Sequence, residues 1–145
     1  MKNIIDSFSG EHRYLSNFYE SSITYKGNTF RNSEAAFQAE KCINEVDKKQ
    51  FIGLNASEAK RLGRRISMRR DWDDIKVGIM KEIVENKFKQ NKILLDKLVN
   101  TGDTLIVEGN TWHDNFWGNC TCGKCFHIIG KNNLGIILME IRDSK

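Results

Sequence analysis

Glu34, Gln38 and Lys41 stand at i, i+4 and i+7 in the run Ser33-Glu34-Ala35-Ala36-Phe37-Gln38-Ala39-Glu40-Lys41, so a helix would present all three on one face. The alanines at 35, 36 and 39 leave room for a ligand to come close to such a helix. An acid, an amide and an amine in line suit proton transfer and sugar recognition. The same spacing also describes an exposed stripe whose ion pair does little.

A second group runs from Glu108 to Asn119, where Trp112, Phe116 and Trp117 flank His113, Asp114 and Asn115. Indoles beside an acid and an amide fit a pocket that stacks a flat heterocycle and hydrogen-bonds a sugar. Trp112 or Trp117 could equally pin the loop to a core. His113 is a candidate general base, although a lone histidine is more often structural.

Cys120, Cys122 and Cys125 form C-x-C-x-x-C, with His127 two residues on; Cys42 stands alone. Three thiols and an imidazole match the donors of tetrahedral zinc. Here, however, all the ligands would come from one short stretch instead of two spaced pairs, so the expectation is reduced thiols in a structural turn, with no metal and no cofactor. Between Lys60 and Arg70 lie Arg61, Arg64, Arg65 and Arg69 and no acid. Such a run is either solvated surface or a seat for phosphate, whose oxygens match a guanidinium fork.

These groups must be positioned by elements the sequence also marks. Ile23-Thr24-Tyr25 and Thr29-Phe30 flank Lys26-Gly27-Asn28, a hairpin pattern. Asn32 or Ser33 can cap a helix reaching about Ile43, and Glu45 to Ile52 reads as a second helix stopped by Gly53. Asn55 with Glu58 forms a capping-box start for a helix ending near Gly63. Asp71 caps the longest helix, with Trp72, Ile75, Ile79, Ile83 and Phe88 at helical spacing up to Gln90, and another helix covers Ile93 to Val99. Thr104 to Val107 is β-rich, Glu108 to Lys131 is loop-like, and Leu134, Ile137, Leu138 and Ile141 define a final amphipathic helix. A loop that long in a compact chain is usually functional. The sum is a helix-dominated α+β fold with a small antiparallel sheet, in one domain over residues 1–145.

The 145 residues include 39% hydrophobic and 29% charged side chains and no proline, which excludes disordered and membrane-spanning classes. A net charge of +4 favours an anionic ligand without requiring a nucleic-acid binder. Met1 to Gly10 carries Asp6 and no apolar run after Lys2, so neither a secretory signal nor a membrane anchor is expected, and the location expected is cytoplasmic.

Five blocks in order resemble the NADAR/YbiA-like family: Leu15-Ser16-Asn17-Phe18; Asn32 to Lys41; Gly63-Arg64 with Arg70-Asp71-Trp72; Val107-Glu108-Gly109 with Asp114 and Trp117-Gly118; and Gly130 to Gly135 through Leu138 to Arg142. The S-E-x-x-x-Q-x-x-K block is the sharpest. The resemblance implies a YbiA-like fold and hydrolysis of N-glycosidic bonds. The substrate would be a ribosylated base carrying phosphate: either ADP-ribose on the amino group of guanine in nucleic acid, the preferred reading, or a phosphorylated ribosylamino-pyrimidine of riboflavin synthesis. It carries functional positions over to Glu34, Trp72 and Asp114, with Lys41, Asn17 and Trp117-Gly118 in support, and sets the cysteine segment outside the shared chemistry.

The expected machinery is Glu34 and Asp114 as the two carboxylates and Lys41 as a ribose or phosphate contact or a Schiff-base nucleophile. Trp72 would stack on the base, and Arg64, Arg65 and Arg70 would hold phosphate. Asn17, Phe18, Gln38, Trp112, Trp117 and Gly118 complete the substrate-binding set. Two readings of other classes compete: a non-catalytic ADP-ribose sensor, which needs no paired acids, and a zinc-dependent nucleic-acid binder built from the basic run and the cysteine loop. Neither an oligomeric state nor a choice between acid and base follows from the residues.

Overall fold

The computed structural model describes residues 3–145; Met1 and Lys2, part of the N-terminal reading, lie outside the described residues. In chain order the elements are β1 (Ile4–Ile5), β2 (Ile23–Tyr25), β3 (Asn28–Phe30), α1 (Ser33–Ala39), α2 (Glu45–Lys48), α3 (Ala56–Gly63), α4 (Trp72–Gln90), α5 (Lys92–Val99), β4 (Leu105–Ile106), β5 (Gly109–Asn110), β6 (Asn119–Cys120) and α6 (Asn133–Asp143). This is a helix-rich α+β fold. Among the described residues its strands pair two by two, β2 with β3 antiparallel, β1 with β4 and β5 with β6 parallel, so the antiparallel geometry expected of the sheet is that of the hairpin, with one further antiparallel bridge at Cys42 and Met68. Among the described residues no helix is long and apolar enough to cross a membrane.

Asparagine side chains start the first three helices, each accepting a backbone N–H that the helix itself cannot satisfy. Asn32 takes Ala35 N at 2.8 Å, Asn44 takes Asp47 N at 3.0 Å, and Asn55 takes Glu58 N at 2.8 Å. Glu58 returns the bond to Asn55 N at 2.9 Å, completing the capping box. Asp71 departs from expectation. It sits at the cap position of α4 but makes no cap bond, because its carboxylate is taken by Arg69 at 2.6 and 3.0 Å.

The chain divides into two compact units, one formed by residues up to Ser16 with Ile93–Lys145, the other by Asn17–Lys92. In the second, α1 is central. It packs against α3, α4 and the hairpin, and every one of its residues is buried. Ala35, Ala36 and Ala39, at 0–1% exposure, let the neighbours approach. The helix ends at Ala39 instead of near Ile43, because the chain turns there to pair sideways: Arg69 N donates to Lys41 O at 2.9 Å and Cys42 bridges Met68. Glu40 and Lys48, both buried, meet at 3.2 Å and fasten this turn to α2.

The hairpin turns at Lys26-Gly27, both at positive φ (49° and 85°), the combination a two-residue turn of this twist requires. The side-chain amide of Gln90, at the end of α4, accepts from Thr24 N and donates to Thr24 O, both at 2.8 Å.

In the first unit α6 packs on β4. Asn132, in the left-handed region at φ 53°, accepts from Glu108 N and donates to Ile106 O, both at 2.9 Å, tying the start of α6 to the end of β4. Four successive N–H groups at that helix start, Lys131 to Leu134, donate to the carbonyls of residues 115 to 118 at 2.8–3.3 Å. The long segment after Val107 is therefore anchored along its middle. Its backbone bonds go to a helix end instead of to water.

Lys87 lies among the apolar residues of α4 at 1% exposure, with the rings of Phe88 and Tyr19 5.3 and 5.8 Å from its Nζ. Burial lowers its ammonium from 10.5 to about 7. The unfolded chain keeps this proton until high pH and the folded chain sheds it near neutrality, so stability rises as pH climbs between those limits. Lys87→Met removes the dependence. Its unfolding free energy relative to the parent should fall by about 1.4 kcal/mol per pH unit across that window. Urea titrations at neutral and alkaline pH measure this, and a constant difference would show that the lysine reaches water in the folded state.

Candidate active site

Burying α1 all round puts its polar residues inside the second unit. Glu34 is 8% and Gln38 5% exposed, so the exposed-stripe alternative is excluded. One turn apart on the helix, they meet: Gln38 Nε2 donates to Glu34 Oε1 at 3.2 Å. Asn17, 8% exposed, joins them from the preceding loop. Its carbonyl accepts Glu34 N at 3.0 Å and its Nδ2 donates to Met80 Sδ at 3.3 Å. Asn17 Oδ1 and Gln38 Oε1 are buried acceptors without a partner. Leaving such groups unmet costs free energy, so they mark where a donor-rich ligand gains most.

Gly63, the last residue of α3, makes this arrangement possible. A Cβ there would collide with Gln38 Oε1 and crowd its Cβ and Cδ. Trp72, the first residue of α4, is 4% exposed and packs on Phe37 with centroids 4.9 Å apart at 55°. Its indole is a wall of this unit, closer to the core role than to an open stacking face.

Lys41, half-buried just beyond α1, has its ammonium lowered chiefly by burial. Glu34 opposes the shift, and Arg64, Lys76 and Lys60 add to it. That list places Glu34 and part of the basic run within electrostatic reach of Lys41. Arg64, Arg65 and Arg70 are exposed. Phe18, 43% exposed, lies under Lys60, whose Nζ is 5.8 Å from the ring centroid. Glu34, Gln38, Asn17, Lys41 and Arg64 thus gather in one unit.

Asp114, Trp112, Trp117 and Gly118 belong to the other unit. Asp114 Oδ1 accepts from Phe116 N and Trp117 N at 3.1 and 2.9 Å, which bends the chain into the Trp117-Gly118 turn. Asn110, 4% exposed, holds the Asp114 backbone from both sides, accepting its N–H at 3.1 Å and donating to its carbonyl at 2.8 Å. Gly118 is buried, and a Cβ there would strike the backbone and carboxylate of Glu108. Trp117 is half-buried, edge-on to Phe116 at 4.8 Å. Trp112 is 60% exposed, so it is not the residue that pins the loop.

The thiols also differ from expectation. Cys120, Cys122 and Cys125 gather around His113, whereas His127 is exposed and stacks edge-on with Phe126. Spacing pointed to the nearer histidine. The turn at His113, with φ 69°, swings the more distant one in. Gly63, read from the sequence only as a helix end and part of a family block, and Asn110 hold supporting roles that the sequence did not assign. A glycine at a helix end and an asparagine in a loop carry common explanations that hide these roles.

The solution structure of Escherichia coli YbiA superposes with a TM-score of 0.83 and 31% identity, over 99% of this chain and 86% of that one. A family model described as the NADAR domain matches residues 6–144, and the chain belongs to that family. It is 34% identical over 140 residues to the protein named N-glycosidase YbiA of Escherichia coli (strain K12), covering 94% of this chain and 84% of that one. An N-glycosidase of Nostoc punctiforme is 36% identical over 135 residues, 89% of this chain and 83% of the other. A riboflavin biosynthesis protein of Vibrio vulnificus is 39% identical over 91% of this chain, which spans 35% of that longer protein.

Gly63→Ala should displace the Gln38 amide and cost about 1–3 kcal/mol of stability through overpacking. The double variant Gly63→Ala/Gln38→Ala should recover part of that cost, because the clash loses one partner. Denaturant unfolding of the four proteins measures the coupling; strictly additive effects would mean that the two side chains do not share the space.

Proposed function

We propose that this chain hydrolyses the bond between ribose C1 and a base nitrogen, with Glu34 as a catalytic carboxylate, and that its substrate is ADP-ribose attached to guanine in nucleic acid. As a member of the NADAR family, related to proteins named N-glycosidases, the chain is a hydrolase acting on N-glycosyl bonds. The observation that carries the residue assignment is the buried Glu34–Gln38–Asn17 cluster with its two unpartnered acceptors beside Lys41. Ribose hydroxyls are the donors such acceptors lack.

In this reading C–N cleavage leaves positive charge on the sugar, which a nearby carboxylate stabilises. Water adds to C1 and its proton passes, by way of Glu34, to the departing nitrogen, so atoms and charge balance. Glu34 orients or deprotonates the water, with Gln38 holding the carboxylate. Asp114, whose Oδ1 is committed to the Trp117 turn, is the second acid that the family blocks put forward. Lys41 contacts a ribose hydroxyl or phosphate, Trp72 supports the cluster as a packed wall, and Phe18 is the aromatic contact for the base. Arg64, Arg65 and Arg70, open to solvent, suit a pyrophosphate and a nucleic-acid backbone.

A second substrate reading has its own support. The Vibrio vulnificus relative is named a riboflavin biosynthesis protein, which favours a phosphorylated ribosylamino-pyrimidine as the ribosylated base.

Offering the pure protein an ADP-ribosylated guanine oligonucleotide and, separately, a ribosylamino-pyrimidine phosphate discriminates the two by which sugar is released. Glu34→Gln should lose roughly 10²–10⁴ in turnover on the accepted substrate while unfolding like the parent. Retention of full activity in that variant sinks the assignment. Borohydride added during turnover should leave Lys41 unmodified if water attacks C1; a substrate-derived adduct there would transfer the nucleophile's role to Lys41.

A further inference from the structure

We infer that His113, Cys120, Cys122 and Cys125 form a four-ligand zinc site that fixes the fold of the segment carrying Asp114. The four donor atoms lie within 4.8 Å of one another. His113 Nδ1 is 3.3 Å from Cys122 Sγ, 3.4 Å from Cys125 Sγ and 4.0 Å from Cys120 Sγ. Tetrahedral zinc with ordinary bond lengths sets nitrogen and sulfur about 3.6 Å apart, the middle of that range. All four cysteines of the chain are free, so no disulfide competes for these sulfurs.

The backbone is shaped for the purpose. Cys120 ends β6, where the ladder to β5 fixes it opposite Asn110. Cys122 opens a 3-10 turn at Gly123–Cys125 closed by Cys125 N donating to Cys122 O at 3.0 Å, which brings both sulfurs of the C-x-x-C pair to one side. His113 holds a left-handed backbone rarely adopted by non-glycine residues, and its own N–H donates to Cys120 Sγ at 3.3 Å. Strain of this kind persists only where something over-determines it. N–H bonds to sulfur support thiolate ligands.

Three thiolates and an imidazole select zinc over hard cations, and four protein ligands leave no open position, so the site is structural and not catalytic. The segment needs such a clip. Trp112, Phe126 and Ile129 are 60%, 85% and 94% exposed, leaving little apolar burial to order it. Zinc would displace the thiol protons to solvent, and its binding energy would serve as folding energy for residues 112–126. Asp114 follows His113 directly, so the metal would position the turn through the adjoining backbone without touching substrate.

The test uses the tag-free full chain and metal content, a readout independent of any glycosidase activity. The protein purified from zinc-supplemented cells should retain one zinc per chain through gel filtration, measured by atomic emission. Exchange with cobalt should give the intense visible bands of a tetrahedral ion and sulfur-to-cobalt charge transfer. Cys122→Ser and His113→Ala should lose the zinc, and His127→Ala should keep it. A chain that stays zinc-free after equilibration with zinc sulfate overturns the inference, as does the weak spectrum of six-coordinate cobalt. Loss of metal in His127→Ala with retention in His113→Ala also overturns it. If the serine variant fails to fold, the cobalt spectrum of the parent decides alone.

Discussion

A seven-residue helix buried on every side carries an acid and an amide into the interior of its unit, and the surroundings of α1 answer that burden. Burying polar groups is unfavourable unless they are met, and several polar groups of α1 have shaped a neighbour. Asn32 supplies the cap, the Asn17 carbonyl takes the Glu34 amide, Gln38 meets Glu34, and Gly63 gives up its side chain to make room. The alanines complete the arrangement by allowing α3 and α4 to close in. Three polar atoms on or against the helix nonetheless stay unmet among the described residues: Asn17 Oδ1, Ser33 Oγ and Gln38 Oε1. Unmet groups at a helix otherwise so closely fitted keep a free-energy cost in the fold.

The other unit solves a different problem by different means. Its long segment has few buried apolar residues, so position comes from directed bonds. The donors at the start of α6 grip carbonyls 115 to 118, and Asn110 grips Asp114. Asn132 ties the same helix start to β4 and so links the grip to the core of that unit. The sulfur cluster adds a further constraint at the far side of Asp114. Directed bonds hold a loop to a geometry that apolar packing would leave adjustable.

How much of this the sequence revealed follows from the range of the interactions involved. Local rules were readable: the Asn55–Glu58 capping box, the glycine turn of the hairpin and the spacing along α4 depend on residues within a few positions of one another. Rules set by distant partners were not. Asp71 is a local exception: it has the right type and place for a cap, yet Arg69, two residues before it, takes its carboxylate. The helix after Ser33 stops early because Lys41 pairs with a strand-like segment nearly thirty positions on. The face of α1 was legible as three aligned polar residues, but only packing shows that it is enclosed, and Lys87 gives no sign in the pattern that a charge sits among apolar neighbours. At the cysteines, type identified the donors while spacing chose the wrong histidine, since the selecting feature is the backbone turn at His113. The family blocks, ordered along the whole chain, carry long-range information that periodicity lacks, and it is they that show the family.

The amide of Gln90 against Thr24 has a consequence of its own. A strand at the rim of a two-stranded ribbon offers its peptide groups to any passing chain, and such rims invite unwanted association. Here a side chain imitates one more peptide unit and occupies the middle of that rim. The imitation is available only once α4 is wound to its final residue. Fraying of a helix end would thus uncover these peptide groups, so the guarding of the rim is tied to the integrity of a helix terminus far from it in the sequence.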